Sequence, residues 1–361
     1  MTFPKYSYVS LENMDNRQFA SKDPRGFLAQ YNKHVIIDEA QHVPELLSYI
    51  QTFVDEKPLN GRYILTGSQQ FNLSHKISQS LAGRAAYLRL LPFSVSELLR
   101  RKPNHPDKFP LPPVELAPKL DFINLLFSGF YPRIHNEKLA PADFLASYIS
   151  AYVERDVRDV LKVGDLMAFQ NFVQLCAGRS GQILNLSSLA SDCGISQPTA
   201  RHWLSVLEAS SLVLTLKPYY KNFSKRIIKS PKLYFLDIGL MCHLLKIRKP
   251  QDLPTHPLYG SIFETFAMSE LYKAFCHTGE TPPMYFWRDK TGHEIDLLID
   301  LGEHLSAVEI KSGKTISSDF FSGLKYFSSI TKTKMVLSLV YGGTESFTRE
   351  DVHVRTWQEL S

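Results

Sequence analysis

Near the carboxyl end, Glu294-Ile295-Asp296-Leu297-Leu298-Ile299-Asp300 reads as a strand, and its period of two puts Glu294, Asp296, Leu298 and Asp300 on one face. Ser306-Ala307-Val308-Glu309-Ile310-Lys311 follows a short turn at Gly302, with Glu309 and Lys311 on one face and Val308 and Ile310 on the other. A hairpin of the two strands brings Asp296 beside Glu309 and Lys311. Upstream, Gly260 to Glu264 opens a helix running through Met268 and Leu271, and Glu264 is within reach of the same place. Three acids and a lysine converging away from water are costly unless a cation or a substrate compensates them. A metal-binding constellation is the expectation.

A second acidic feature lies near the amino end. Val35-Ile36-Ile37 is an apolar strand that delivers Asp38 and Glu39 at its carboxyl end, where open α/β sheets bind ligands. In nucleoside triphosphatases an acid in Asp38's position helps hold magnesium, and one in Glu39's polarises the attacking water. A later strand, Arg62 to Leu65, ends in Thr66-Gly67-Ser68-Gln69, a polar end suited to sensing a γ-phosphate.

The third feature is helical. Leu186 to Ser196 reads as helix, glycine turn and helix cap, and Ser196 and Pro198 open a second helix to Ser210. That helix buries Ala200, Trp203, Leu204 and Leu207 and leaves Gln197, Thr199, Arg201 and His202 on another face. This is helix-turn-helix spacing, with polar residues where base or phosphate contacts fall. From Ala209 to Leu236 there is no acid, while Lys217, Lys221, Lys225, Arg226, Lys229 and Lys232 interleave with Tyr219, Tyr220 and Phe223. Such a segment reads as a basic wing for a DNA backbone; a solvated protein-interaction element is the plainer alternative.

The elements that must position these residues divide the chain. At 361 residues it is too long for one ordinary core. Residues 1–100 alternate short apolar strands (near 6–11, 34–37, 62–68 and 85–90) with helices near 44–55 and 73–81, the pattern of a parallel sheet covered on both faces. Residues 101–165 form a proline-rich linker and helical segment, with six prolines between 101 and 118. Residues 166–235 are expected to be a winged-helix module, and 236–361 a mixed α/β domain. No apolar run reaches the length of a membrane span. The amino terminus lacks a signal-peptide pattern, and the four cysteines are widely spaced with no C-x-x-C pair. A cytoplasmic chain with reduced thiols is therefore expected. A net charge of +5 permits nucleic acid as a partner without requiring it.

Two resemblances follow from these residues. Ser10 to Leu98, with Asp38-Glu39-Ala40-Gln41, Leu65-Thr66-Gly67-Ser68-Gln69 and Ser80-Leu81-Ala82-Gly83-Arg84, resembles a prokaryotic AAA-type ATPase family whose members end in a nuclease-like domain of unknown function. The likeness implies ATP and Mg2+ as cofactors, Walker B roles for Asp38 and Glu39, a sensor role for Ser68 and a trans-acting finger role for Arg84. No G-x-x-x-x-G-K-[ST] loop stands ahead of Asp38, where Gly26 is the only glycine. Since that loop cradles the phosphates, the reading is a partial P-loop-type sheet with weak or absent ATP turnover, the product of a gene-calling error, of a decayed gene, or of a split protein completed by a partner chain or a second copy. Glu264, then Asp296, then Glu309-x-Lys311 resembles the PD-(D/E)XK nuclease superfamily. That likeness implies Glu264, Asp296 and Glu309 as Mg2+ ligands and Lys311 as the catalytic lysine. Three functions compete: an AAA-type ATP-binding protein, degenerate in hydrolysis and DNA-directed; a Mg2+-dependent endonuclease; and a non-enzymatic DNA-binding or partner protein.

Overall fold

The computed structural model describes residues 3–31, 33–56, 59–67, 81–101, 120–152, 166–220 and 230–360. The chain forms two compact units, Met1–Leu88 and Arg89–Ser361.

The first unit is built on three short parallel strands, β1 (Ser7–Ser10), β2 (Val35–Asp38) and β3 (Tyr63–Leu65), with β2 in the middle. Ser10 pairs with Asp38, and Ile37 with Leu65. Asn13 caps the helix Met14–Lys22 by accepting from the amides of Asp15 and Asn16. Asp23 ends that helix and caps the next, Pro24–Gln30, by accepting from Gly26 N–H. The helix Leu46–Glu56 buries Leu46, Leu47 and Ile50 against Val9, Val35, Ile37, Phe27 and Leu28. Since Val35 and Ile37 lie within this core, burial fixes the register of β2 and with it the place of Asp38.

One expected strand is missing. Residues 85–90 carry no strand pairing, and Leu88 and Leu90 are 83% and 93% exposed. Alternation alone does not make a strand without a neighbour to take its backbone hydrogen bonds. The helix expected near 73–81 lies outside the described residues except for its last residue.

The second unit holds eight strands: β4 (Val213–Pro218), β5 (Lys232–Phe235), β6 (Met284–Arg288), β7 (Glu294–Asp300), β8 (Leu305–Lys311), β9 (Met335–Tyr341), β10 (Phe347–Arg349) and β11 (Val352–Thr356). They form one mixed sheet in the order β10-β11-β9-β8-β7-β6-β4-β5. The helix Tyr259–His277 is buried over most of its length, and Phe263, Phe266 and Phe275 anchor it in the larger core. A second core sets Phe321, Leu324 and Phe327, from the helix Ser322–Ile330 and the turn before it, against Ile295, Leu298, Ala307 and Leu339. Gly129, at φ +72°, lies so close to Gly239 that a Cβ on Gly239 would stand 2.6 Å from the Gly129 Cα.

The division drawn at residue 235 does not appear as a structural boundary. β4 pairs antiparallel with β5, and its last residues, Lys217 and Pro218, pair parallel with Tyr285 and Phe286 of β6. The first strand of the segment expected as a basic wing is thus part of the carboxyl-terminal sheet. One hydrophobic core runs from Val95 to Leu360. Residues 102–119, 153–165 and 221–229, which include most of the proline-rich stretch and the basic segment's tip, lie outside the described residues.

Candidate functional site

At the carboxyl end of β2, Asp38 accepts hydrogen bonds from the Thr66 hydroxyl on one oxygen and from the Tyr8 hydroxyl (2.7 Å) on the other. The Thr66 bond is the main reason that its carboxyl is held below the ordinary carboxylate range, against the opposing effect of partial burial. Thr66 is brought there by the sheet: its N–H donates to Ile37 C=O and its C=O accepts from Ala40 N–H, each at 3.0 Å. Glu39 adopts the left-handed conformation (φ 55°), and its carboxylate accepts from the Gln41 side chain. Among the described residues, no lysine or arginine forms an ion pair with Asp38. Each Asp38 oxygen keeps a lone pair beyond the hydroxyl it accepts from, and among the described residues no ammonium stands against it as one does at the carboxyl-terminal acids, so the carboxylate fits a water of a hydrated nucleotide magnesium. Arg84 forks onto Asp55, at 2.6 and 2.9 Å. Ser68 lies outside the described residues.

A Gly313-Lys314-Thr315 run stands after β8, but the residue five places before Gly313 is Val308. The glycine that opens a phosphate-cradling loop is missing there too.

In the second unit, the strands and the helix bring Glu264, Asp296, Glu309 and Lys311 together. Leu297 pairs with Val308, which leaves Asp296 beside the next turn of β8. Asp296 Oδ2 accepts from Ile310 N–H at 2.9 Å and lies 3.7 Å from Lys311 Nζ. Lys311 also donates to Glu309 Oε1. Glu264, on the helix Tyr259–His277, accepts from the Tyr234 hydroxyl at 2.6 Å.

Two members of this cluster were not expected from sequence. Lys232, the first residue of β5, is 3% exposed. Its Nζ lies 3.2 Å from Glu264 Oε1 and 3.8 Å from Asp296 Oδ1, and it is bonded to Glu294 Oε1. Glu294 also pairs with Arg288 at 3.3 Å. The reading of Lys232 as one more solvated wing lysine is corrected: β5 turns it inward, and the acids hold it there. Burial works against its charge, yet Tyr234, Glu264, Asp296 and Glu294 together raise its pKa well above the ordinary lysine value.

Burial first, and then the charge of Asp296, raise Glu264 to about 7 and Glu309 to about 8. Lys311 is raised as well: burial opposes its charge, but Asp296 and Glu309 outweigh it. Glu309 Oε2 is buried and has no hydrogen-bond partner, which suits a carboxyl that keeps its proton.

As arranged, these residues do not fit a divalent metal. A magnesium or calcium ion needs several free oxygens around one point. Here Glu264 Oε1, Glu309 Oε1 and Asp296 Oδ2 already accept from N–H or O–H donors, and Asp296 Oδ1 faces an ammonium. Among the described residues, no group of three His, Cys, Asp or Glu side chains has an arrangement that could hold a metal ion.

The helical feature occupies residues 186–209. Asn185 caps the helix Leu186–Asp192, Gly194 turns the chain at φ +66°, and Ser196 caps Gln197–Ala209 by accepting from Thr199 N–H. Ala200, Trp203, Leu204 and Leu207 are buried. On the outer face Gln197, Pro198, Arg201, His202 and Ser205 line a shallow open hollow. Thr199 is half-buried, and its hydroxyl is 2.7 Å from that of Ser196, so it serves the cap. Arg201 has no acidic partner among the described residues. Lys221, Lys225 and Arg226 lie outside the described residues. Among those residues no helix is long and apolar enough to cross a membrane.

Residues 2–99 match a family described as an AAA domain. Residues 119–251 and 259–360 match two domains of unknown function, DUF8612 and DUF4143. The chain is also similar to the uncharacterized proteins Rv2008c of Mycobacterium tuberculosis and Mb2031c of Mycobacterium bovis. Each is 28% identical over 334 residues, covering 92% of this chain and 70% of the relative. The amino-terminal AAA match, followed by the carboxyl-terminal DUF4143 match, supports an AAA-type family for this chain.

Proposed function

We propose that this chain is a DNA-directed protein of the AAA type, taking up a nucleotide at Asp38 and Glu39 and contacting duplex DNA with the helix Gln197–Ala209. The observation that carries the reading is the outer face of that helix. Gln197, Arg201 and His202 stand exposed in the first two turns, and the buried opposite face fixes their direction. Arg201 supplies a positive charge without a competing acid among the described residues, and exposed Lys217 on β4 adds another. A capped helix start with a guanidinium beside it suits phosphate oxygens.

At the front, Asp38 is the residue that would hold the magnesium of a nucleotide, which would neutralise phosphate charge. Thr66 and Tyr8 would keep the carboxylate ionised and aimed. Cleavage of the bound DNA is not part of this reading, because the carboxyl-terminal acids are already compensated by lysines.

Fluorescence anisotropy with a labelled duplex tests the reading. Binding is expected to weaken steeply with salt and to fall in Arg201→Ala and in a Gln197→Ala/His202→Ala double variant. Wild-type affinity in these variants, with the fold intact by circular dichroism, would overturn it.

A further inference from the structure

We infer that Lys232 is the resident cation of the carboxyl-terminal acid cluster and takes the place that a divalent metal would otherwise hold. This goes beyond the DNA-binding reading and does not depend on it.

The geometry carries the inference. The ammonium of Lys232 lies within 4 Å of carboxylate oxygens from Glu264, Glu294 and Asp296, contributed by one helix and one strand. Its approach is fixed from behind by β5, whose backbone pairs with β4 through the register Leu216 to Lys232. The ring of Phe286 also flanks the ammonium, at 5.7 Å. A side chain held by its strand and buried to 3% exposure is not a mobile counter-ion.

Three cations already stand against the four acids without a metal. Lys232 and Lys311 face Glu264, Glu294, Asp296 and Glu309, and Arg288 takes a share of Glu294. A dication added to this set would stand against the Lys232 ammonium in a poorly screened interior. Removing Lys232 would instead leave three acids around an empty centre, the donor set that a hard dication seeks.

The test uses the full chain in an Asp38→Asn background, so that the front strand end cannot report on metal. Thermal melting is followed in EDTA and in Mn2+, and Mn2+ binding is read by electron paramagnetic resonance. With Lys232 present, the melting temperature is expected to be the same in both solutions and the free Mn2+ signal undiminished. Lys232→Ala is expected to melt lower in EDTA and to recover in Mn2+, since a ligand that binds only the folded state stabilises it.

Saturable Mn2+ binding with Lys232 in place, lost in Asp296→Asn, would overturn the inference. So would a Lys232→Ala variant that melts like its parent in EDTA or is not rescued by Mn2+. If Lys232→Ala does not fold, the Lys232→Met/Glu264→Gln double variant decides: removing one charge of each sign should give a folded, metal-indifferent protein. Its failure to fold would count against the inference.

Discussion

Lys273 Nζ lies 3.0 Å from Glu270 Oε1, one turn earlier on the same helix, and neither side chain reaches solvent. Glu270 Oε2 also accepts from Val95 N–H at 2.7 Å, while Lys273 donates to Phe93 C=O at 2.9 Å and sits over the Phe130 ring. The pair therefore ties the segment around residues 93–95 to the long helix. Losing one partner strands a buried charge, which costs about 3–5 kcal/mol. Glu270→Ala and Lys273→Ala should each lower stability by that order in urea titrations. The Glu270→Leu/Lys273→Met double variant should lose less than the sum of the two.

The raised carboxyls predict a pH slope of definite sign. Glu264 and Glu309 bind their protons more tightly folded, at about 7 and about 8, than in the open chain. Their contribution to stability is whole below the ordinary carboxylate value, near roughly 4. It is lost as pH rises through the folded values. Asp296, Lys232 and Lys311 surround the two groups and remain in place in the comparison. Urea midpoints measured from pH 5 to 9 should fall with rising pH, and Glu309→Gln should flatten the upper part of that fall. An unchanged slope in Glu309→Gln would refute the assignment.

At the front strand end the sign is opposite. The Thr66 hydroxyl lowers the Asp38 carboxyl, so its contribution is present above the ordinary range and is lost on acidification. Thr66→Val should move the Asp38 titration upward in carbon-detected NMR. Tyr8→Phe should move it the same way by less, since the Tyr8 bond is the weaker of the two causes.

If the helix Gln197–Ala209 contacts phosphates, the salt dependence will show it. Each phosphate contact contributes about 0.9 to the slope of log affinity against log salt on duplex DNA. Arg201→Ala should reduce that slope by about one contact. Thr199→Val should leave the slope unchanged and lower helix stability instead, because the Thr199 hydroxyl is engaged with the cap at Ser196.

Much of this was legible in the residues. The apolar run Val35–Ile37 locates Asp38, and period-two spacing brings Asp296 to Glu309 and Lys311, because both rest on local periodicity and burial of one face. The cap at Ser196 and the apolar positions of the next helix were readable for the same reason. Lys232 was not. It stands in a stretch without acids, and Glu264 is 32 residues away, so only tertiary pairing could show that it points inward. The segment 85–90 misled in the opposite way, since alternation says nothing about whether a partner strand exists.

Strand β4 has a consequence for how the chain comes off the ribosome. Its hairpin with β5 can close once residue 235 has emerged, but Lys217 and Pro218 must wait for Tyr285 and Phe286. Until then that end of β4 is an open edge beside apolar surface, a setting that invites mispairing. The helical module and the acid cluster are thus made in two instalments and finished together. A fragment ended between them should be recovered as aggregate, whereas the full chain, which keeps Trp357 and Leu360 in the core, should stay in solution.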